Sequence, residues 1–376
     1  MSGVEIIAVR TPAEMDRFIR LPSALYAADP NFVPPLLLER EEALSPKKNP
    51  YFQHAEAKFW LARRNGRDVG RISAQIDRLV KDPEIGHFGM IVAEDRPEVF
   101  AALFAAAEGW LRERGKKRVL GPFNLSINEE SGLLVDGFDT PPMLLMGHDA
   151  RHIAGRIEAL GYAKAKDLIA YIQNTDEGLL PAAPRRFADK RMPKNMTLRT
   201  LDVKRYREEF DTVTDIFNDA WSQNWGFIAF TEAEIAHMAK SLKPLIKPEY
   251  VALVEVDGRA IGFGIALPNL NELIADFDGR LLPFNWLKLL LRLKRGPKTA
   301  RVPLMGIRRT YSGGLIGGLA PFLIVDALRK ALCKNGVREA EMSWILEDNR
   351  PMRHMIESLG ARAYKTYRVY EKRIAA

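Results

Sequence analysis

Trp60-Leu61-Ala62-Arg63-Arg64-Asn65-Gly66-Arg67-Asp68-Val69-Gly70 is nearly said again by Ala252-Leu253-Val254-Glu255-Val256-Asp257-Gly258-Arg259-Ala260-Ile261-Gly262. The Leu, the Gly-Arg, a β-branched residue and a closing Gly recur 192 positions apart. Each copy sets Asn-Gly or Asp-Gly between apolar runs, the strongest short signal for a β-hairpin. Farther on, Ile157-Glu158-Ala159-Leu160-Gly161 returns as Ile356-Glu357-Ser358-Leu359-Gly360. Lys166 then matches Lys365 and Tyr171 matches Tyr370, now 199 apart. A repeat this long implies two copies of one domain, and function is sought where the copies differ.

Working outward, Thr11-Pro12-Ala13-Glu14 is a capping box with Pro at the first helical position. A strand is expected at 87–93, a helix with apolar period from 97 to Gly115, a strand at 118–123, a helix at 150–160 and a strand at 166–173. The second half repeats the order. A helix is expected at 203–220, another opening at Thr231, a strand at 301–308, a helix at 317–334, a strand at 339–346, a helix opening at Asn349 and a strand at 363–372. This is an α/β chain with a mixed (α+β) sheet in each half. The expected domains are 1–175 and 198–376, joined by a linker at 176–197 rich in proline and basic residues.

Spacing exposes asymmetry between the copies. Gly70 to Gly115 is 45 residues, whereas Gly262 to Gly336 is 74; the second half has gained a segment, mostly 268–298. Gly115 to Gly161 is 46 residues, whereas Gly336 to Gly360 is 24; the first half has gained 122–148.

The chain has 376 residues, 47% of them hydrophobic, and a net charge of +8. That is ample for two cores, and the charge favours an anionic partner: a nucleotide-bearing cofactor, a lipid surface or nucleic acid. The single cysteine, Cys333, excludes a disulfide framework and fits a reducing, cytoplasmic compartment; its apolar helical surroundings place it in a core. No segment reaches the roughly 20 apolar residues of a membrane span. The six histidines lack ligand spacing, so no metal site is expected; His148 and His152 read as structural.

Three segments carry chemistry. First, Met305 to Gly318 runs from a strand through Ile307-Arg308-Arg309-Thr310-Tyr311-Ser312-Gly313-Gly314-Leu315-Ile316-Gly317 into a helix. Glycines let the backbone approach a ligand, and the N–H groups opening a helix favour a pyrophosphate; Arg308 and Arg309 add charge. It is neither a Walker loop nor a dinucleotide fingerprint, and a ligand-free flexible loop remains the other reading. Second, Asn124, Ser126, Asn128, Glu129 and Glu130 alternate with apolar residues in the first-half insertion. They suit an amino-alcohol head group, with Glu129 as amine base; a capped turn is the alternative. Third, Leu281–Arg295 is a basic amphipathic stretch with Leu282, Trp286, Leu290 and Leu293 on one face and Lys288, Arg292 and Arg295 on another. It fits contact with an anionic membrane surface or a gate over an acyl chain, with Trp286 as a candidate substrate-binding residue, or else a cover over the protein's own core. Glu347 and Tyr311 stand as further candidates for base and acid.

The order of strand, Gly-rich loop, helix, strand, then a helix running from Asn349 to Leu359-Gly360, resembles the GNAT acyl-CoA acyltransferase superfamily. The resemblance covers the second half well and the first as a degenerate copy. The family's Arg/Gln-x-x-Gly-x-Gly/Ala would fall on Ser312 to Gly317, with Ser312 in place of Arg/Gln and Leu315 in place of the middle Gly. In that family an amine attacks the thioester carbonyl of acyl-CoA, which the loop amides hold by its pyrophosphate. Over its full length the chain is similar to the bacterial ceramide synthase family, through Gly121-Pro122-Phe123-Asn124-Leu125-Ser126-Ile127-Asn128-Glu129, Gly132–Asp139, the 281–295 stretch and Ser343–Asn349. That implies two tandem GNAT-like domains and transfer of a long-chain acyl group to the amine of a sphingoid-base-like lipid. It implies acyl-CoA as co-substrate, no metal, no nucleic-acid partner, and peripheral membrane contact through 281–295. Another tandem-GNAT acyl or aminoacyl transfer, or a non-catalytic acyl-CoA or lipid binder, stays open on sequence alone.

Overall fold

The computed structural model describes residues 3–176 and 193–374, so most of the linker expected at 176–197 lies outside the described residues. The chain divides into two compact units. The first comprises residues up to Leu168, Ile274–Lys288 and the chain from Lys365; the second comprises Ile169–Leu273 and Leu289–Tyr364.

Unit 1 holds β1 (Glu5–Ala8), α1 (Pro12–Leu25), β2 (Ala55–Arg64), β3 (Arg67–Asp77), β4 (Ile85–Ala93), α2 (Pro97–Arg112), β5 (Arg118–Gly121), β6 (Leu133–Asp136) and α3 (His152–Ala159). β7 (Ala163–Asn174) begins in unit 1 and ends in unit 2. Unit 2 holds β8 (Met196–Thr200), α4 (Tyr206–Trp221), α5 (Glu232–Leu242), β9 (Val251–Val256) and β10 (Arg259–Pro268). The amphipathic α6 (Asn285–Arg295) begins in unit 1 and ends in unit 2, which continues with β11 (Thr299–Ile307), α7 (Gly314–Lys334), β12 (Glu339–Leu346) and α8 (Arg350–Ser358). β13 (Arg362–Arg373) begins in unit 2 and ends in unit 1.

The repeated sequence makes repeated structure. β2–β3 and β9–β10 are antiparallel hairpins. Their turns put Asn65 and Gly66, and Asp257 and Gly258, at φ of 51°, 76°, 52° and 74°, the left-handed pairs that a tight hairpin needs. The closing glycines recur where neighbouring elements pack too closely for a side chain, strand and helix at Gly70 and the adjacent strand at Gly262. A Cβ on Gly70 would lie 2.9 Å from Leu103 and Ala93, and one on Gly262 2.3 Å from Ile307. Both capping boxes form, Thr11 with Glu14 and Thr231 with Glu234. α7 starts at Gly314, three residues before the position expected from sequence. Cys333 is exposed near its end, because position 333 faces away from the sheet while neighbouring Leu332 is buried.

In unit 1 the sheet runs β1-β2-β3-β4-β5-β13, with β6 also paired to β13. In unit 2 it runs β7-β12-β11-β10-β9-β8. The final strand of each sequence half therefore belongs to the other half's unit. The repeat-equivalent tyrosines report the exchange: Tyr171 donates to Glu357 of α8 (2.8 Å), and Tyr370 donates to Glu158 of α3 (3.1 Å). Each unit has its own core. In unit 1, Phe88, Phe100, Leu103 and Leu111 are buried around β3, β4 and α2. In unit 2, Val254, Ile261, Ile324 and Leu328 are buried around β9, β10 and α7.

Candidate active site

In each unit two parallel strands start together and then part. In unit 2, β11 and β12 pair only from Thr299–Val302 against Glu339–Met342. A register shift between Ile265 and Leu267 of β10 sets Val302 and Pro303 against one residue, and Pro303 has no N–H to give. Beyond that bulge the strands diverge, and a cavity of about 580 Å³ occupies the opening. Its walls come from β11 (Pro303, Met305, Gly306, Ile307), β12 (Ser343, Trp344, Ile345), α7 (Gly317, Pro321, Phe322), α8 (Asn349, Met352, Met355) and α4 with the turn after it (Trp221, Asn224). No lining residue carries a charge.

One end of the cavity is the start of α7. Gly313 caps it with extended backbone and no side-chain hydrogen bond, so the first N–H groups have no side-chain acceptor. Gly314 takes φ +69°, a left-handed turn, and a Cβ on Gly317 would sit 2.3 Å from the Ser312 carbonyl. Ser312, Gly314 and Gly317 line the cavity. Such a helix opening, with its partial positive charge, suits an anion. Asn349 caps α8 by accepting from the Met352 N–H (3.3 Å) and also lines the cavity, as does Ile307.

The other loop candidates stand back. Arg308 donates to Asp215 (2.6 Å) and to the Ala260 carbonyl (3.1 Å). Arg309 is exposed, and its backbone N–H donates to Asp219 (2.8 Å). Leu315 is 57% exposed, and neither Gly313 nor Ile316 is a lining residue. Tyr311 packs on the unit 2 core, and the Glu347 carbonyl receives the Arg353 guanidinium (2.8 Å).

In unit 1 the parallel pairing is equally short, Ile85–His87 against Arg118–Leu120, and the bulge recurs at Met90–Ile91. Here the insertion fills the opening. Phe123, Leu125 and Ile127 are buried. A Cβ on Gly89 would lie 1.8 Å from the Phe123 carbonyl oxygen, so only glycine permits the fit. Gln75 donates to that carbonyl (2.6 Å), Tyr51 donates to the Leu125 carbonyl (3.1 Å), and Asn124 accepts from the Met90 N–H (2.8 Å). Asn124 also donates to Glu130 (2.8 Å), which pairs with Arg40 at 2.5 Å. Burial opposes the charge on Glu130, but Arg40 and Asn124 outweigh it and hold the carboxyl below its ordinary range. Ser126 accepts from the Asn128 N–H (3.2 Å), and the Glu129 N–H donates to the Ser126 carbonyl (3.1 Å), so the polar candidates of this segment form one hydrogen-bonded turn.

Sequence reasoning missed what surrounds that turn. Burial pushes the Asp149 carboxyl up to about 7, with Glu130 adding to the rise, although the Leu134 N–H (2.9 Å) and Arg71 oppose it. Burial brings Arg71 down to about 9. Nothing in the spacing of Arg40, Arg71, Glu130 and Asp149 announces that they meet. His148 donates from Nε2 to the Asp29 carboxylate (2.8 Å) and His152 donates from Nε2 to the Ala93 carbonyl (2.9 Å), both structural. Among the described residues no group of three or more His, Cys, Asp or Glu side chains could hold a metal.

The chain is 53% identical, over 99% of its length and 98% of the relative's, to the bacterial ceramide synthase of Caulobacter vibrioides. It belongs to that family. It is also 47% identical to protein YghO of Escherichia coli, over 96% of this chain and 93% of that one. Among solved structures it resembles a tandem GNAT protein from the clavulanic acid biosynthesis pathway, with TM-score 0.59 and 14% identity, covering 99% of each chain. A GCN5-related N-acetyltransferase from Sphaerobacter thermophilus matches with TM-score 0.55 and 16% identity, over 99% of this chain and 96% of that one. No protein-family model matches the chain. The fold is thus that of tandem GNAT acyltransferases, and family membership makes the chain an acyltransferase.

The amphipathic α6 presents an unusual surface. None of its residues is buried. Trp286, Leu287, Leu290 and Leu291 are 48–63% exposed, and Phe284 just before it is 75% exposed. Trp286 keeps its indole N–H on the Pro283 carbonyl (3.0 Å), leaving its ring outward. Leu293 and Arg292 turn the other way, Arg292 donating to the Leu273 carbonyl (2.7 Å). The outward basic residues are Lys288, Lys294 and Arg295. Among the described residues no helix is long and apolar enough to cross a membrane.

Proposed function

We propose that this protein N-acylates a long-chain, sphingoid-base-like amine from acyl-CoA. The observation that carries this is the uncharged cavity in the β11–β12 opening, lined by apolar walls and by a glycine-rich helix start that no side chain caps. The N–H groups at Gly314 to Gly317 hold the pyrophosphate, Asn349 and the parted strand edges hold the pantetheine arm, and the thioester lies in a dry apolar space. The amine nitrogen attacks the thioester carbonyl carbon. The C–S bond breaks, the thiolate leaves as CoA, and the nitrogen's proton passes to a base and on to the thiolate. Glu129, set on the hydrogen-bonded turn of the insertion, is that base, and Asn124, Ser126, Asn128 and Glu130 shape acceptor recognition. Tyr311 and Glu347 carry weaker support, since one packs on a core and the other meets Arg353.

Thiol release from acyl-CoA, with and without a long-chain amine, tests the reaction. Amine-dependent release is expected; CoA binding without it would sink the enzyme reading. Glu129→Gln should lower kcat about a thousandfold with acyl-CoA affinity retained, and wild-type kcat would remove Glu129 as base.

Peripheral membrane contact runs through α6. Large apolar side chains left open to water, flanked by basic residues, fit the acyl–headgroup boundary of an anionic bilayer. Lys288→Glu, Lys294→Glu and Arg295→Glu together should abolish sedimentation with phosphatidylglycerol vesicles. Unchanged sedimentation would refute the contact.

A further inference from the structure

We propose that the acyl chain leaves the cavity along an aromatic track, Trp221 and Trp344 continued by Phe227 and Phe230, and that this track sets the acyl-chain preference. The inference rests on the acyl-CoA reading of the cavity and adds the route and the residues that measure chain length. The cavity is lined by the start of α7, where the pyrophosphate lies in that reading, and by the rings of Trp221 and Trp344. The thioester and its acyl chain then lie against those rings.

Four observations define the track. Trp221 and Trp344, both in the cavity lining, meet edge to face, 5.9 Å between centroids at 69°. Trp221 is pinned at its only polar atom, its indole N–H donating to the Met305 carbonyl (3.1 Å), so its faces are purely apolar. Buried Phe217 backs Trp221 at 5.0 Å and reaches Phe227 and Phe230 at 5.9 and 5.4 Å. Yet Trp221, Trp344, Phe227 and Phe230 are themselves only half-buried. Trp221 and Trp344 line the uncharged cavity, Phe227 and Phe230 continue from Trp221 through Phe217 outside that lining, and the four half-buried rings lack a full apolar cover. An acetyl group is too small to provide one. An alkyl chain provides it, and each methylene withdrawn from water adds about fourfold in affinity.

Calorimetry with the full chain gives the test. The probes are butyryl-CoA and palmitoyl-CoA, and the variants are Trp344→Ala and Phe230→Ala. The wild type should bind palmitoyl-CoA more tightly than butyryl-CoA, and each variant should reduce that ratio about tenfold. Phe230 lies in irregular chain after α4 rather than in a core, so its truncation reads the track even if Trp344→Ala fails to fold. An unchanged ratio in Phe230→Ala overturns the proposal. So does a variant that loses affinity for a long-chain amine while the ratio stays, because the track then serves the acceptor's tail. Since binding is read without turnover, a wild type that binds by chain length but transfers nothing overturns the enzyme reading and leaves the track standing.

Discussion

The β4–β5 opening of unit 1 and the β11–β12 opening of unit 2 start from the same plan and end differently. Both follow three or four parallel pairs and a bulge on the central strand. In unit 2 the opening stays empty of protein, and a glycine-rich loop leads into α7 at its edge. In unit 1 the chain turns back into its own opening, and Phe123 and Leu125 fill it. The difference teaches that the parting of strands is a property of the fold, while the cavity depends on what the next segment does. A copy that loses its loop keeps stability by packing its own residues where a ligand would lie.

The contrast is breakable at Gly89. A Cβ there collides with backbone, which has no rotamer to escape into. Gly89→Ala should cost about 3 kcal/mol in denaturant unfolding of unit 1, while CoA affinity, which the proposed function assigns to unit 2, stays within twofold of wild type. A large loss of CoA affinity would show that the two openings are not independent. Gly317→Val presses on the Ser312 carbonyl in the same way, but at the ligand end. It should weaken CoA binding by about thirtyfold, or about 2 kcal/mol, in calorimetry, and an unchanged Kd would remove the loop from pyrophosphate binding.

The smallest effect concerns Asp149. Its carboxyl is raised to about 7 from 3.8, so between those values the folded state holds a proton that the unfolded state has lost. Its contribution to stability is therefore present in acid and declines as pH rises through 7. Asp149→Asn should flatten the decline in thermal stability between pH 5 and 8 by about 1 kcal/mol. An unchanged slope would show that Asp149 titrates normally.

Much of this was legible because it is local. Asn65-Gly66 and Asp257-Gly258 demanded left-handed turns, Thr11 and Thr231 found their Glu partners three residues on, and Leu160-Gly161 and Leu359-Gly360 ended helices with Gly at φ of 84° and 91°. The cavity residues Ile307, Ser312, Gly314, Gly317 and Asn349 came from the loop and the cap that precede two helices. Arg308 read as a phosphate ligand because charge beside glycine looks available; its pairing with Asp215, 93 residues away, is a tertiary fact. Arg292 likewise read as a surface charge, and its bond to the Leu273 carbonyl turned it inward.

By itself, the sequence determined that the chain is two copies of one α/β domain, and that each copy has one private elaboration. Periodicity, turn chemistry and caps act over a few residues, so they are written where they act. Tertiary structure alone decided that the copies trade their last strands, since Tyr171 and Tyr370 are alike in sequence, yet Tyr171 meets Glu357 and Tyr370 meets Glu158. It alone decided that 122–131 plugs one opening and that Trp221, Asn224 and Trp344 line the other. Those outcomes depend on which distant surfaces bury each other best, and no window of neighbouring residues contains that information.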